Sequence, residues 1–60
     1  MGKLILRIRS TNELGIREGY IIKNEFGQTK YLYRINLLND DYFPSGYIKL
    51  VPPEDLEKVS

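Results

Sequence analysis

The chain has 60 residues, with nine basic and eight acidic side chains, a formal net charge of +1, and no cysteine, histidine or tryptophan. A chain of this length makes one domain with a small core, burying only about 60% of the surface exposed when unfolded. Without cysteine it cannot build a disulfide scaffold, a thiolate zinc site, an iron–sulfur cluster or a thiol nucleophile; without histidine it lacks the commonest general base and metal ligand. Hydrophobic residues at 42% and charged residues at 28% suit a globular domain, not a disordered segment. The near-neutral balance argues against tight non-specific phosphate binding, which needs several cations acting together. Apolar runs such as Leu4-Ile5-Leu6 fall far short of the about 20 residues of a membrane helix, and the N-terminus shows no secretory pattern. A cytoplasmic location is expected, with no membrane, metal or cofactor.

From Lys3 to Arg9 the chain alternates, with Leu4, Leu6 and Ile8 against Lys3, Arg7 and Arg9, and predicts a half-buried strand. Ser10 to Glu13 is turn-prone and opens a long loop running to Gly19, pinned by Leu14 and Ile16. Tyr20 to Glu25 reads as a second strand, followed by a turn over Phe26-Gly27-Gln28-Thr29 in which Gly27 is free to take a positive φ. Lys30 to Leu38 is the third strand; Tyr31, Tyr33, Ile35 and Leu37 make its inner face, with Tyr33 the core tyrosine. Asn39-Asp40-Asp41 is a turn signal. A fourth strand starts at Tyr42-Phe43, breaks at Pro44-Ser45-Gly46 and resumes as a fifth over Tyr47 to Val51, where Pro52-Pro53 stops any ladder. Pro53 to Val59 reads as a short helical turn, with proline and acidic residues at its start and Leu56 and Val59 spaced to dock. Five short strands with tight turns predict an all-β fold, a small antiparallel barrel over about 3–51 with a C-terminal turn over 53–59, the 60 residues forming a single domain.

Two segments carry a family resemblance. Glu13-Leu14-Gly15-Ile16-Arg17-Glu18-Gly19-Tyr20-Ile21-Ile22 resembles the E-L-S-F-x-x-G-D-x-I pattern of Src-homology-three domains, and Tyr42-Phe43-Pro44-Ser45-Gly46-Tyr47-Ile48-Lys49-Leu50-Val51 is similar to their L-F-P-S-N-Y-V-x-L-I close, where a short 3₁₀ turn joins the last two strands. The resemblance implies an SH3-like barrel with Pro44 and Tyr47 on the peptide groove. It departs from the family in lacking the opening A-L-Y-D-Y segment and the paired tryptophans, for which Tyr31 is the nearest aromatic, and that leaves the groove incomplete. The chain also resembles short uncharacterised bacterial and phage proteins of the same plan. In a second register, Val51 to Val59 itself forms the closing turn and strand.

No constellation of residues points to catalysis. Asp40-Asp41 lies in a turn and is read as solvated, Glu54, Asp55 and Glu57 as helix-start charge, and the serines Ser10, Ser45 and Ser60 have no histidine partner. An enzyme is the least favoured class. The five tyrosines are the main signal, because tyrosine joins a large contact area to a polar tip and is enriched at interfaces. Tyr20, Tyr31, Tyr42, Pro44 and Tyr47 are the candidate docking residues of a non-enzymatic protein-interaction module that binds a protein partner or its own copy. The alternative is a nucleic-acid-binding barrel presenting Arg7, Arg9, Arg34 and Lys49 on outward positions beside tyrosines.

Overall fold

A computed structural model describes residues 4–59; Lys3, expected to open the first strand, and Ser60 lie outside the described residues. The elements are β1 (Ile5–Ile8), β2 (Leu14–Glu25), β3 (Gln28–Leu38), β4 (Pro44–Val51), a 3₁₀ turn (Pro53–Asp55) and β5 (Leu56–Lys58). They form one antiparallel sheet in the order β4-β3-β2-β1-β5. The expected all-β class and strand number hold. Among the described residues the edge strands β4 and β5 do not pair with each other, so the sheet is open in its hydrogen bonding.

The long loop expected after β1 is a compact turn instead. The Ile8 carbonyl accepts from the Asn12 N–H at 2.7 Å and the Ile8 N–H donates to the Glu13 carbonyl at 2.8 Å, with Asn12 in the left-handed region at φ 64°. Asparagine tolerates that region better than most residues. The chain therefore returns at once, and Leu14, Gly15 and Ile16 pair with Arg7, Leu6 and Ile5. Gly15 is needed in the middle of this ladder: a Cβ there would collide with Ile35 Cγ2 and stand 3.0 Å from the Asn36 carbonyl oxygen.

The β2–β3 turn is tighter than expected. Only Phe26 and Gly27 leave the strands, at φ 53° and 76°. Two successive positive φ values define the type I′ hairpin turn, whose twist matches the flanking strands.

Ile8, Ile35 and Val51 form the buried core, with Leu6, Tyr33, Leu37 and Leu56 packed around it. The inner face expected for β3 is thus correct at Tyr33, Ile35 and Leu37, while Tyr31 is exposed. Tyr33 is half-buried, and the Arg17 guanidinium carbon lies 5.1 Å from its ring centroid, in cation–π contact.

The C-terminal third corrects the primary reading. Pro44 to Val51 is one strand, not a break followed by a strand, and Tyr42-Phe43 belong to the preceding turn. The 3₁₀ turn lies at Pro53–Asp55 rather than within Tyr42–Val51, and the strand β5 follows it in place of a helical turn over 53–59. The domain boundary at 51 moves accordingly, because β5 pairs with β1 through Leu6–Lys58, Arg7–Glu57 and Ile8–Leu56. The second register, which puts the last turn and strand within Val51 to Val59, is the one that matches these elements. Pro52 and Pro53 end β4, since neither offers a ladder donor. Asp55 then caps the far end of β1, accepting from the Ser10 N–H at 3.1 Å and the Ser10 hydroxyl at 2.6 Å. Leu56 packs on the core as expected, but Val59 stays half-exposed.

On the opposite face of β3 from Ile35, Asn36 is a buried polar residue at 7% exposure. Its Nδ2 donates to Glu18 Oε1 at 3.1 Å and its Oδ1 accepts from the Gly46 N–H at 2.9 Å. Those partners sit at the register shifts of the sheet, between Arg17 and Gly19 on β2 and opposite Asn36–Leu38 on β4. Asn36→Ala removes both partners and leaves the Gly46 N–H without its acceptor, a loss of about 1–3 kcal/mol. Chemical denaturation of the two proteins is expected to show a lower midpoint with an unchanged slope.

Candidate docking surface

The sheet is uneven in coverage. β1 pairs with β2 only at Leu14–Ile16, and β4 pairs with β3 only from Tyr33 to Leu38. Gly19–Glu25 and Gln28–Leu32 therefore project as a two-stranded ribbon with both edges unpaired among the described residues. The molecule is accordingly elongated, 41 × 23 × 19 Å. An isolated two-stranded ribbon is marginal in water, because its faces have nothing to pack against.

The ribbon carries apolar side chains on both faces. Tyr20 and Ile22 face Tyr33 and Tyr31 across the strands, extending the inner face past the core. Tyr20 and Tyr31 are 59% and 52% exposed, with ring centroids 6.3 Å apart and tilted by 54°, and Ile22 beside them is equally bare. Ile21 pairs with Leu32 on the other face. At the tip, Phe26 is 97% exposed. Next to Tyr31 an open groove of about 450 Å³ runs between Thr29, Lys30, Tyr31 and Leu32 on one side and Pro52, Pro53 and Glu54 on the other.

The structure divides the candidate tyrosines into two groups. Tyr20 and Tyr31 meet on the ribbon. Tyr42, Pro44 and Tyr47 lie at the β3–β4 turn and the start of β4, roughly 23 Å along β3 from Tyr31. Tyr42 takes φ 63°, and beside it a shallow depression is lined by Leu14, Leu38, Asn39 and Asp40. Tyr47 is exposed to 74%, and its N–H donates to the Ser45 hydroxyl at 3.2 Å. Pro44 pairs with Leu38 as the first residue of β4 and does not line the groove beside Tyr31; Pro52 and Pro53 do.

Of the cations expected on outward positions, Arg7, Arg9 and Arg34 are exposed, and Lys49 is half-buried. Arg7 is ion-paired with Glu57 across the β1–β5 ladder, and Arg9 Nε lies 3.4 Å from the same carboxylate. Lys49 stands opposite Ile35 on the core face, because the β3–β4 register also sets Val51 against Tyr33. Its side chain is 43% exposed, and its ammonium reaches Glu13 Oε1 at 3.0 Å. Among the described residues only Arg34 of this set forms no ion pair; it is exposed on the outer face between Gly19 and Leu50. Asp40 and Asp41 lie in a turn held by Asn39 Oδ1, which accepts from the Asp41 and Phe43 N–H groups at 2.9 and 3.1 Å. No group of His, Cys, Asp and Glu suited to a metal ion occurs among the described residues. Among the described residues no helix is long and apolar enough to cross a membrane.

Ile22, Phe26, Pro52 and Pro53 are not among the docking residues expected from the sequence. The apolar run Tyr20-Ile21-Ile22 was the available signal: consecutive apolar residues on a strand must occupy both faces, and a single core covers only one. No protein-family model, curated protein or solved structure matches this chain.

The Lys49 hydrogen bond to Glu13, aided by the Thr11 hydroxyl, holds the Glu13 carboxyl below its ordinary value of 4.5. A lowered folded-state pKa contributes stability that is complete above the unfolded value and lost as pH falls through the folded one. Thermal unfolding is expected to shift to lower temperature below about pH 4.5, and Glu13→Gln is expected to make that acid-side decline shallower. Because the pair is solvent-exposed, both effects are small and shrink with added salt.

Proposed function

We propose that the protein is a non-enzymatic interaction module with a Src-homology-three-like frame, docking an extended segment of a protein partner along the groove between Tyr31 and Pro52-Pro53. The carrying observation is that this groove lies beside the stretch of β3 that β4 leaves unpaired. An extended chain laid there continues the line of β4, draws main-chain hydrogen bonds from the free edge and rests apolar side chains on Tyr31 and the prolines. The frame is supported by the strand order and by a 3₁₀ turn between the last two strands. Tyr31 is the nearest aromatic to the paired tryptophans that the family resemblance expects. The matching of Arg7, Arg9 and Lys49 by carboxylates leaves the nucleic-acid reading without a concentrated cationic face.

Titration of ¹⁵N-labelled protein with short extended peptides, one rich in valine and threonine and one rich in proline, tests this. Amide shifts are expected at Thr29–Leu32 and Glu54, and Tyr31→Ala is expected to weaken binding by roughly tenfold or more, as for an aromatic anchor. Absence of shifts there with both peptides, or shifts confined to Tyr42–Tyr47, would contradict the proposal.

A further inference from the structure

The free edge of β2 differs from the other edges of the sheet. β4 begins with a proline and carries a register irregularity, and β5 is only three residues long. Both are features that discourage strand addition. The exposed length of β2, by contrast, runs Gly19-Tyr20-Ile21-Ile22-Lys23-Asn24-Glu25 with regular pairing to β3 and no proline. In a hairpin closed by a two-residue turn, Glu25 and Gln28 exchange both hydrogen bonds, and the pattern then alternates. The N–H and C=O groups of Glu25, Lys23 and Ile21 thus face β3, while those of Asn24, Ile22 and Tyr20 face outward.

We infer that this edge pairs antiparallel with the same edge of a second copy, about a two-fold axis through Ile22. This surface is separate from the β3 groove, and the inference does not rest on it. Alternative registers meet obstacles. Centring the axis on Ile21 puts the second copy's Phe26 against Ile16, a position already taken by Ile5 of β1. Centring it on Lys23 opposes two lysines directly, which is destabilising. An axis at Asn24 pairs Ile22 with Phe26, a turn residue at φ 53° that cannot continue a strand. With the axis at Ile22, Ile22 meets Ile22 and Tyr20 meets Asn24, and no like charges oppose each other. The result is a four-stranded sheet that joins the Tyr20–Ile22–Tyr31 patches of both copies into one apolar face.

The same register accounts for Phe26. Both Phe26 and Glu18 are four positions from Ile22, in opposite directions, so the second copy's Phe26 arrives level with Glu18. An open groove of about 340 Å³ lies there, lined by Leu4, Ile16, Arg17 and Glu18, at the point where β1 stops and the free edge begins. A bare phenylalanine in left-handed backbone is an unfavourable choice for an isolated turn. Seated in that groove it gains Leu4 and Ile16 as apolar neighbours and the Arg17 guanidinium as a cation for its ring.

Cysteine scanning of this cysteine-free chain tests the register, and sedimentation equilibrium tests the assembly. The unaltered protein is expected to be a dimer that dissociates on dilution. Ile22→Cys is expected to oxidise to a covalent dimer, with Lys23→Cys and Asn24→Cys remaining uncrosslinked under the same oxidation. Phe26→Asn, a residue suited to the turn, is expected to keep or raise the melting temperature of the monomer while weakening self-association by roughly thirtyfold, the scale of a buried aromatic anchor. A monomer at every concentration, a crosslink at Lys23→Cys or Asn24→Cys in preference to Ile22→Cys, or full affinity in Phe26→Asn would overturn the inference.

Discussion

The middle of β3 is the constraint on which the rest of this small sheet depends. Ile35 is sealed on the inner face and Asn36 on the outer one, so two adjacent residues are withdrawn from solvent in opposite directions. Ile35 is the centre of the apolar core and presses so closely on β2 that only glycine fits at position 15. Asn36 spans the sheet, holding the Glu18 carboxylate on one side and the Gly46 N–H on the other. One side chain thus fixes both places where the ladders lose register. A buried amide with both ends satisfied specifies geometry more than it adds stability, since each of its hydrogen bonds replaces one with water.

From that anchor the asymmetry of the molecule follows. The core is limited to Ile8, Ile35, Val51 and their half-buried neighbours, and the short strand β1 covers one end of β2 with the three-residue β5 beyond it. β4 leaves β3 after Val51 because Pro52-Pro53 turns the chain toward β1. The strands β2 and β3 nevertheless continue well beyond the last residue that either neighbour pairs. A ribbon bearing Tyr20, Ile21, Ile22, Tyr31 and Leu32 is therefore built with no core of its own. Its two edges differ: the β3 edge borders the groove against Pro52 and Pro53, and the β2 edge is regularly paired and free of proline.

Much of this fold was legible in the sequence because its strongest signals are local. Alternation marked β1 and the inner face of β3, and Gly27 marked the hairpin turn. The sequence shortens β2 because Leu14 and Ile16 stand among polar residues, and only their pairing with Arg7 and Ile5 makes that stretch a strand. The C-terminus was harder for a different reason. Pro44-Ser45-Gly46 and Pro52-Pro53 both resemble strand breakers, and a first-position proline is compatible with an edge strand. Which segment closes on β1 is decided by the docking of Leu56 on the core, a long-range contact that no local pattern announces. Tyr20 and Tyr31 meet on the ribbon while Tyr42 and Tyr47 lie at the other end of β3; a count of aromatics carries no information on which of them share a face. The sequence places Lys49 outside because charge is normally solvated; the register sets it opposite Ile35, half-buried, with its ammonium on Glu13.

The central claim is that the cooperative core ends at Tyr33 and the ribbon beyond it is held by something other than that core. Native-state amide hydrogen exchange at high dilution, where self-association is negligible, addresses this most directly. The account predicts that the amides of Ile8, Ile35 and Val51 exchange only through global unfolding, while those of Ile21, Lys23 and Lys30 exchange much faster through local opening of the ribbon. Equal protection in the ribbon and the core under those conditions would contradict it.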